Sequence, residues 1–186
     1  ILSNAEGLFE TIKFEDAPGK KMMMIIPYSH LYPTVFGVLI PMMAKWTTVT
    51  CAFARMDHIL RMVKETSPHY IVLVPLLLDR MYTRLKGRMK KKTREELGLG
   101  QLQAVFVAGA KCPEHLIAGM RDLEITVLEG YGVSEMAPFI TMSTLEQHRT
   151  GSVGKPLSNV EMTLLDPDRN GNGEVRWTFR YAALNA

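Results

Sequence analysis

A chain of 186 residues, 47% of them hydrophobic, suits one domain and can bury a sizeable core. Its net charge of +3 is too weak to argue for nucleic acid, and two cysteines with no CxxC and no His/Cys cluster argue against a disulfide framework or a structural zinc site, so a reducing, cytoplasmic setting is expected. No apolar run reaches about 18 residues free of charge or proline, which argues against a transmembrane helix, and Ile1-Leu2-Ser3-Asn4-Ala5-Glu6 has no basic stretch and is not expected to be a signal peptide.

In chain order, Ser3 or Asn4 can cap a first helix that runs to about Phe14. Ala17-Pro18-Gly19-Lys20 is a turn, and Met22 to Ile26 an apolar strand stopped by Pro27. Leu31 to Met43 is apolar on nearly every side and reads as a buried helix with Pro33 near its start. Thr47 to Thr50 is a short β-branched strand. Ile59, Leu60 and Val63 mark Asp57 to Thr66 as an amphipathic helix. Tyr70 to Val74 is a strand, Leu76 to about Lys90 a helix opened by Pro75, Gln103 to Ala108 a strand, Pro113 to Leu123 a helix and Ile125 to Leu128 a strand. Such alternation predicts parallel pairing in a layered α/β fold over residues 1–150. Residues 151–186 form a β-rich extension, with strands at Val160 to Leu165 and Glu174 to Thr178 around the turn Asp166 to Gly173. The basic run Lys86, Arg88, Lys90, Lys91, Lys92 and Arg94 reads as a solvated helix end and turn; contact with an anionic membrane or an acidic carrier is the alternative.

The stretch Val127-Leu-Glu-Gly-Tyr-Gly-Val-Ser-Glu-Met-Ala-Pro138 carries the chemistry. Glycines around Tyr131 let the backbone approach a ligand. Ser134 and Glu135 follow with a hydroxyl and a carboxylate, which suit a phosphate oxygen and a divalent cation. Ligands of open α/β sheets bind at such strand ends.

Gly130-Tyr131-Gly132-Val133-Ser134-Glu135 resembles the Tyr-Gly-x-Thr-Glu signature of AMP-forming adenylating enzymes: acyl-CoA synthetases, adenylation domains of peptide synthetases and luciferases. Ser134 stands where Thr is usual and keeps the hydroxyl. Ile25-Ile26-Pro27-Tyr28-Ser29-His30 resembles the family's Leu-Pro-x-x-His segment. Val107-Ala108-Gly109-Ala110-Lys111-Cys112-Pro113 is similar to its Gly-Gly-Ala-Pro-Leu loop, with Lys-Cys inserted. Gly151-Ser152-Val153-Gly154-Lys155-Pro156 is similar to its Gly-x-x-Gly-x-Pro segment. The four stand in family order, and Ser29 to Pro41 looks most like the long-chain fatty acid–CoA ligase branch. The family's Ser/Thr/Gly-rich phosphate loop ending in Pro-Lys-Gly, its ribose-binding Asp and its lysine-bearing small domain have no counterpart in these residues. Trp177 to Ala186 matches nothing in the family, so an internal piece of a larger synthetase with an altered end is expected.

The resemblance implies a two-step reaction. A fatty acid and ATP give an acyl-adenylate and pyrophosphate, and CoA then gives the thioester and AMP. It implies catalytic roles for His30, Ser134 and Glu135, with Glu135 holding Mg2+ and Ser134 donating to a phosphate oxygen. Gly109, Ala110 and Lys111 are expected on one side of the adenine and Gly130 and Tyr131 on the other, with Glu129, Gly132 and Ser134 also binding the nucleotide. His30 is placed near the carboxylate, with Val35, Phe36 and Val38 along an acyl tunnel. Without the motif, Tyr131 reads as a core aromatic, Glu135 as a cap or surface ion-pair partner and His30 as a hydrogen-bonded structural residue. Cys112 has no activating partner in the sequence. Asp166, Asp168 and Asn170 read as a β-turn because the downstream Glu of a calcium loop is absent. Gly151 to Pro156 is expected behind the nucleotide site. By themselves these residues are expected to be inactive. The alternatives are a non-catalytic α/β assembly module and adenylation for a carrier protein. Loss of neighbours beside Met22 to Ile26 is expected to expose a strand edge and favour self-association.

Overall fold

A computed structural model of the chain describes residues 1–14, 16–51 and 55–180. Strands β1 (Lys21–Met24), β2 (Thr47–Thr50), β3 (Tyr70–Leu73), β4 (Ala104–Val107) and β5 (Val127–Tyr131) pair in parallel in the order β2-β1-β3-β4-β5. Two short strands, β6 (Thr141–Met142) and β7 (Lys155–Pro156), continue the sheet antiparallel beyond β5. The helices are α1 (Leu2–Ile12), α2 (Leu31–Thr34), α3 (Ile40–Ala44), α4 (Met56–Thr66), α5 (Pro75–Arg88) and α6 (Glu114–Asp122). The architecture is the expected layered α/β fold. Strands β8 (Val160–Leu165) and β9 (Glu174–Phe179) form a separate antiparallel hairpin. The seven-stranded sheet thus continues past residue 150, through Pro156.

The strands are apolar on both faces because helices cover both faces. On one side, Met23, Ile71, Leu73, Val105, Val107 and Val127 pack against Ile59 and Val63 of α4, Leu78 and Met81 of α5, and Leu116 and Met120 of α6. On the other, the alternate residues Met22, Met24, Tyr70, Val72, Phe106 and Leu128 meet Ala5 and Leu8 of α1 and Val35, Phe36 and Ile40. A one-residue slip of register would exchange these two sets.

Several expectations change. Asn4 does not cap α1; the N-cap is Ile1, and the Asn4 side chain is buried against Phe139. The helix over 31–44 is interrupted by a π-helical turn, Val35–Leu39. Pro41 has no N–H for the Gly37 carbonyl one turn back, and Thr48 Oγ1 donates to that carbonyl instead, at 2.7 Å. Strand β1 is flanked by β2 and β3, so the exposed edge expected at Met22 to Ile26 falls on β2 instead. Its residues are threonines and a valine of intermediate or full exposure. In the 166–173 turn, Asp168 accepts from the Asn170 and Asn172 backbone N–H groups, each at 2.8 Å. Those bonds hold its carboxyl below the ordinary carboxylate range, and the loop closes on itself as an Asx turn. Trp177 and Phe179 lie in β9, half-buried against the core. The remainder of the expected altered end, 181–186, lies outside the described residues.

Candidate active site

In a parallel sheet the carboxyl ends of the strands face one way, and β4 and β5 both end beneath glycine-bearing loops. After β4, the chain turns at Gly109, whose φ of +89° is a conformation that L side chains rarely adopt. After β5, Gly132 packs so tightly on the Pro138 carbonyl that an added Cβ would overlap it. These two glycines line two contiguous clefts.

The first cleft, of about 390 Å³, is walled by Gly109, Ala110 and Lys111 on one side and Glu129, Gly130, Tyr131 and Gly132 on the other. The five residues expected around an adenine, Gly109, Ala110, Lys111, Gly130 and Tyr131, therefore meet in one place. Tyr131 is 38% exposed at the mouth, so its ring is open to a ligand. Glu129 is buried, and the backbone N–H groups of Gly151 and Cys112 lie toward its carboxylate. Its pKa is raised, first by burial and then by nearby Glu114; the two N–H groups and Lys111 act in the opposite sense. Burial, with help from Glu129, pushes the Cys112 thiol up to about 11. It is therefore a thiol at neutral pH and not an activated nucleophile. Gly151 and Val153 belong to the wall itself, not behind it as expected.

The second cleft, of about 320 Å³, contains His30 and Ser134 among mostly apolar residues: Ile26, Leu31, Pro33, Val74, Val133 and Phe139. His30 is exposed at the N-cap of α2. Ser134 opens a single 3-10 turn, Ser134–Met136. Tyr32, which the sequence did not flag, lines this cleft and donates to the Phe106 carbonyl at 3.1 Å and the Leu73 carbonyl at 3.4 Å. It thereby joins the ends of β3 and β4 to the cleft wall, and burial holds its phenol protonated. Val35, Phe36 and Val38 do not line the cleft. Val35 and Phe36 are fully buried, with the Phe36 ring against Phe106 and Phe139 at centroid distances of 4.7 and 5.2 Å, and Val38 is exposed on the surface.

Glu135 is exposed beside Ser134 and makes no ion pair among the described residues. Among those residues no three His, Cys, Asp or Glu side chains are grouped to hold a metal ion. A lone carboxylate of this kind fits Mg2+, which takes one or two protein carboxylates and completes its shell with ligand phosphates and water. It does not fit a transition-metal cage. No described helix is long and apolar enough to cross a membrane.

A family model described as AMP-binding enzyme matches residues 1–176. The chain is 31% identical over 94 residues to a long-chain-fatty-acid–CoA ligase of Xenopus laevis, covering 50% of this chain and 13% of that one. It is 25% identical over 186 residues to a 2-succinylbenzoate–CoA ligase of Staphylococcus epidermidis, covering 94% of this chain and 34% of the relative. The backbone is similar to that of a malonyl-CoA ligase in a ternary product complex with methylmalonyl-CoA and AMP, with a TM-score of 0.80 and 20% identity over 95% of this chain and 38% of that one. The chain thus spans well under half the length of the proteins it matches.

Proposed function

The chain belongs to the AMP-binding enzyme family, and we propose that it forms the nucleotide and acyl pocket of an AMP-forming fatty acyl-CoA synthetase. The observation that carries this reading is the meeting of the two glycine loops in one cleft, joined to an apolar cleft that holds His30 and Ser134. Adenine fits between Gly109–Lys111 and Tyr131, where bare backbone and a flat ring offer two faces. The acyl chain lies toward Ile26, Pro33, Val74 and Phe139.

The second cleft favours a fatty acid over a dicarboxylic acid. Among its described lining residues there is no Lys or Arg to pair a second carboxylate. His30 meets the single carboxylate of the substrate at the junction. In the first step a carboxylate oxygen attacks the α-phosphorus of ATP, and pyrophosphate leaves with the electron pair of the broken P–O bond. In the second, a CoA sulfur attacks the acyl carbon and AMP leaves. The pocket contributes position and charge balance. Ser134 donates its hydroxyl to a phosphate oxygen, and Glu135 holds magnesium, which when bound neutralises phosphate charge.

The phosphate loop and the lysine-bearing domain to which the resemblance points are not among these 186 residues. We propose that turnover requires them and that these residues alone bind without reacting. Calorimetric titration with a long-chain acyl-sulfamoyl adenosine tests the pocket. Binding should weaken at least tenfold in Tyr131→Ala, whereas Glu135→Ala should spare this phosphate-free mimic and weaken MgATP. A folded protein that ignores the mimic, or a Tyr131→Ala variant of unchanged affinity, would refute the assignment. A short dicarboxylyl mimic that binds better than the long-chain one would refute the acyl class.

A further inference from the structure

A second concave feature lies at the other end of the sheet. It is a groove of about 560 Å³ between α4, α5 and the segment that follows α5. Helix α4 runs into β3, and α5 returns from its carboxyl end, so both helices finish beside the amino ends of the strands. The groove therefore lies away from the glycine loops. Its floor is apolar, formed by Leu60, Leu85 and Leu97, all buried.

Its rim is cationic. Lys64 comes from the last turn of α4, Arg88 ends α5, and Lys91 and Lys92 follow in the next turn. Helix C-termini favour such positive charges, which suits Lys64 and Arg88. Counter-charge is sparse. Glu96 is the one carboxylate of the lining, and it already accepts the Thr93 backbone N–H at 2.8 Å. Arg88 lies 3.5 Å from Asp57 in a solvated pair, and Lys64, Lys91 and Lys92 make no ion pair among the described residues. Four cations from three segments thus converge on one hollow, while Lys86, whose ammonium lies 5.6 Å from the Tyr82 ring centroid, and Lys90 of the same basic run do not line it.

We propose that this groove binds phosphate-bearing anions, either a free polyphosphate or the phosphate headgroups of an anionic lipid surface. Convergence on a concave site suits compact, multiply charged oxygens that accept several ammonium donors and an Arg fork at once. A flat acidic protein face would instead engage the exposed lysines outside the groove, Lys86 and Lys90, as well.

The test uses the whole protein with two probes: inorganic pyrophosphate in calorimetry, and co-sedimentation with vesicles containing 30% phosphatidylglycerol, against pure phosphatidylcholine. At least one probe should bind, and the Lys91→Glu/Lys92→Glu variant should lose on the order of tenfold or more of that affinity. The Lys86→Glu/Lys90→Glu variant makes the same change in net charge and should lose under about threefold. Pyrophosphate binding without vesicle binding assigns a free ligand, and the reverse assigns a lipid surface. The Lys91→Glu/Lys92→Glu variant should bind acyl-sulfamoyl adenosine like the parent, which separates this site from the active-site reading. Failure of both probes, equal losses in the two variants, or equally tight binding of a polyglutamate peptide would overturn the proposal.

Discussion

Asn4→Ala measures how far α1 holds the segment behind Ser134 in place. Asn4 is 2% exposed, and its Nδ2 donates to the Phe139 carbonyl at 2.6 Å and to the Met136 carbonyl at 3.4 Å, while Oδ1 accepts the Phe139 N–H at 3.3 Å. Alanine strands both backbone groups of Phe139, itself 2% exposed. A buried polar group without its partner costs about 1–3 kcal/mol, and the longer bonds belong at the low end, so a loss of about 2–4 kcal/mol is expected. Asn4→Asp is more informative. It sets an oxygen against the Phe139 carbonyl and, at neutral pH, should cost more than alanine. As the pH falls and the introduced carboxyl protonates, its O–H can donate to that carbonyl, so the gap should narrow. Urea unfolding followed by the fluorescence of buried Trp46 reads both variants. An alanine variant within about 0.5 kcal/mol of the parent, below the cost of even one stranded group, or an Asp variant of parental stability at pH 7, would refute the argument.

Other expectations follow from the same packing. Gly132→Ala pushes a methyl into the Pro138 carbonyl and should weaken acyl-sulfamoyl adenosine binding at least tenfold in calorimetry. Phe36→Ala empties a fully buried aromatic site and should cost about 3–5 kcal/mol in urea unfolding. Exposed Val38→Ala should cost under about 0.5 kcal/mol and leave acyl-mimic affinity unchanged. Glu129 has its pKa raised, so the folded state keeps this proton at pH values where the unfolded chain has released it. The resulting stability is complete below the unfolded value and lost as the pH rises through the folded one. Glu129→Gln should flatten that falling limb of a stability–pH curve, and an unchanged slope would exclude Glu129 as its source. Cys112, 1% exposed and with its pKa near 11, should resist iodoacetamide at pH 8 until urea unfolds the protein, as mass spectrometry can show.

The parts legible in the sequence were those fixed by local pattern. Tyr70-Ile71-Val72-Leu73 and Ala104-Val105-Phe106-Val107 are short apolar runs of the kind that only a strand covered on both faces needs, and β3 and β4 lie where those runs do. The carboxyl half of β5 was hidden because Glu129 and Gly130 are poor strand formers. Pairing of Gly130 and Tyr131 with Met142 and Thr141 makes it a strand. Strands β6 and β7 are two residues each, too short to show any periodicity. Asn4 looked like a cap because capping residues sit near helix starts, yet its partner Phe139 is 135 residues away. At the site, Gly109 to Lys111 and Glu129 to Gly132 could be named because they stand in segments that resemble motifs of the AMP-forming family. Val35, Phe36 and Val38 could not be oriented, since the π turn at 35–39 rotates the helix out of the 3.6-residue pattern. Tyr32 was invisible because its role depends on two strand ends that only the fold brings together.

Glu129 shows how the cleft can be ordered as one unit. A carboxylate moved out of water is tolerated only when donors replace the solvent. Here backbone N–H groups from two separate loops favour the charged form, at Cys112 after β4 and at Gly151 before β7. Even with both loops in place, burial outweighs them and favours the neutral form, which is the direction of its shift. With both loops in place, the same group links the two walls of the first cleft to the strand that carries Tyr131. Opening either loop therefore removes a partner that the other cannot supply, so the walls at 109–112 and 151–153 should order together. A ligand that bridges Gly109–Lys111 and Tyr131 closes the same connection from the opposite side.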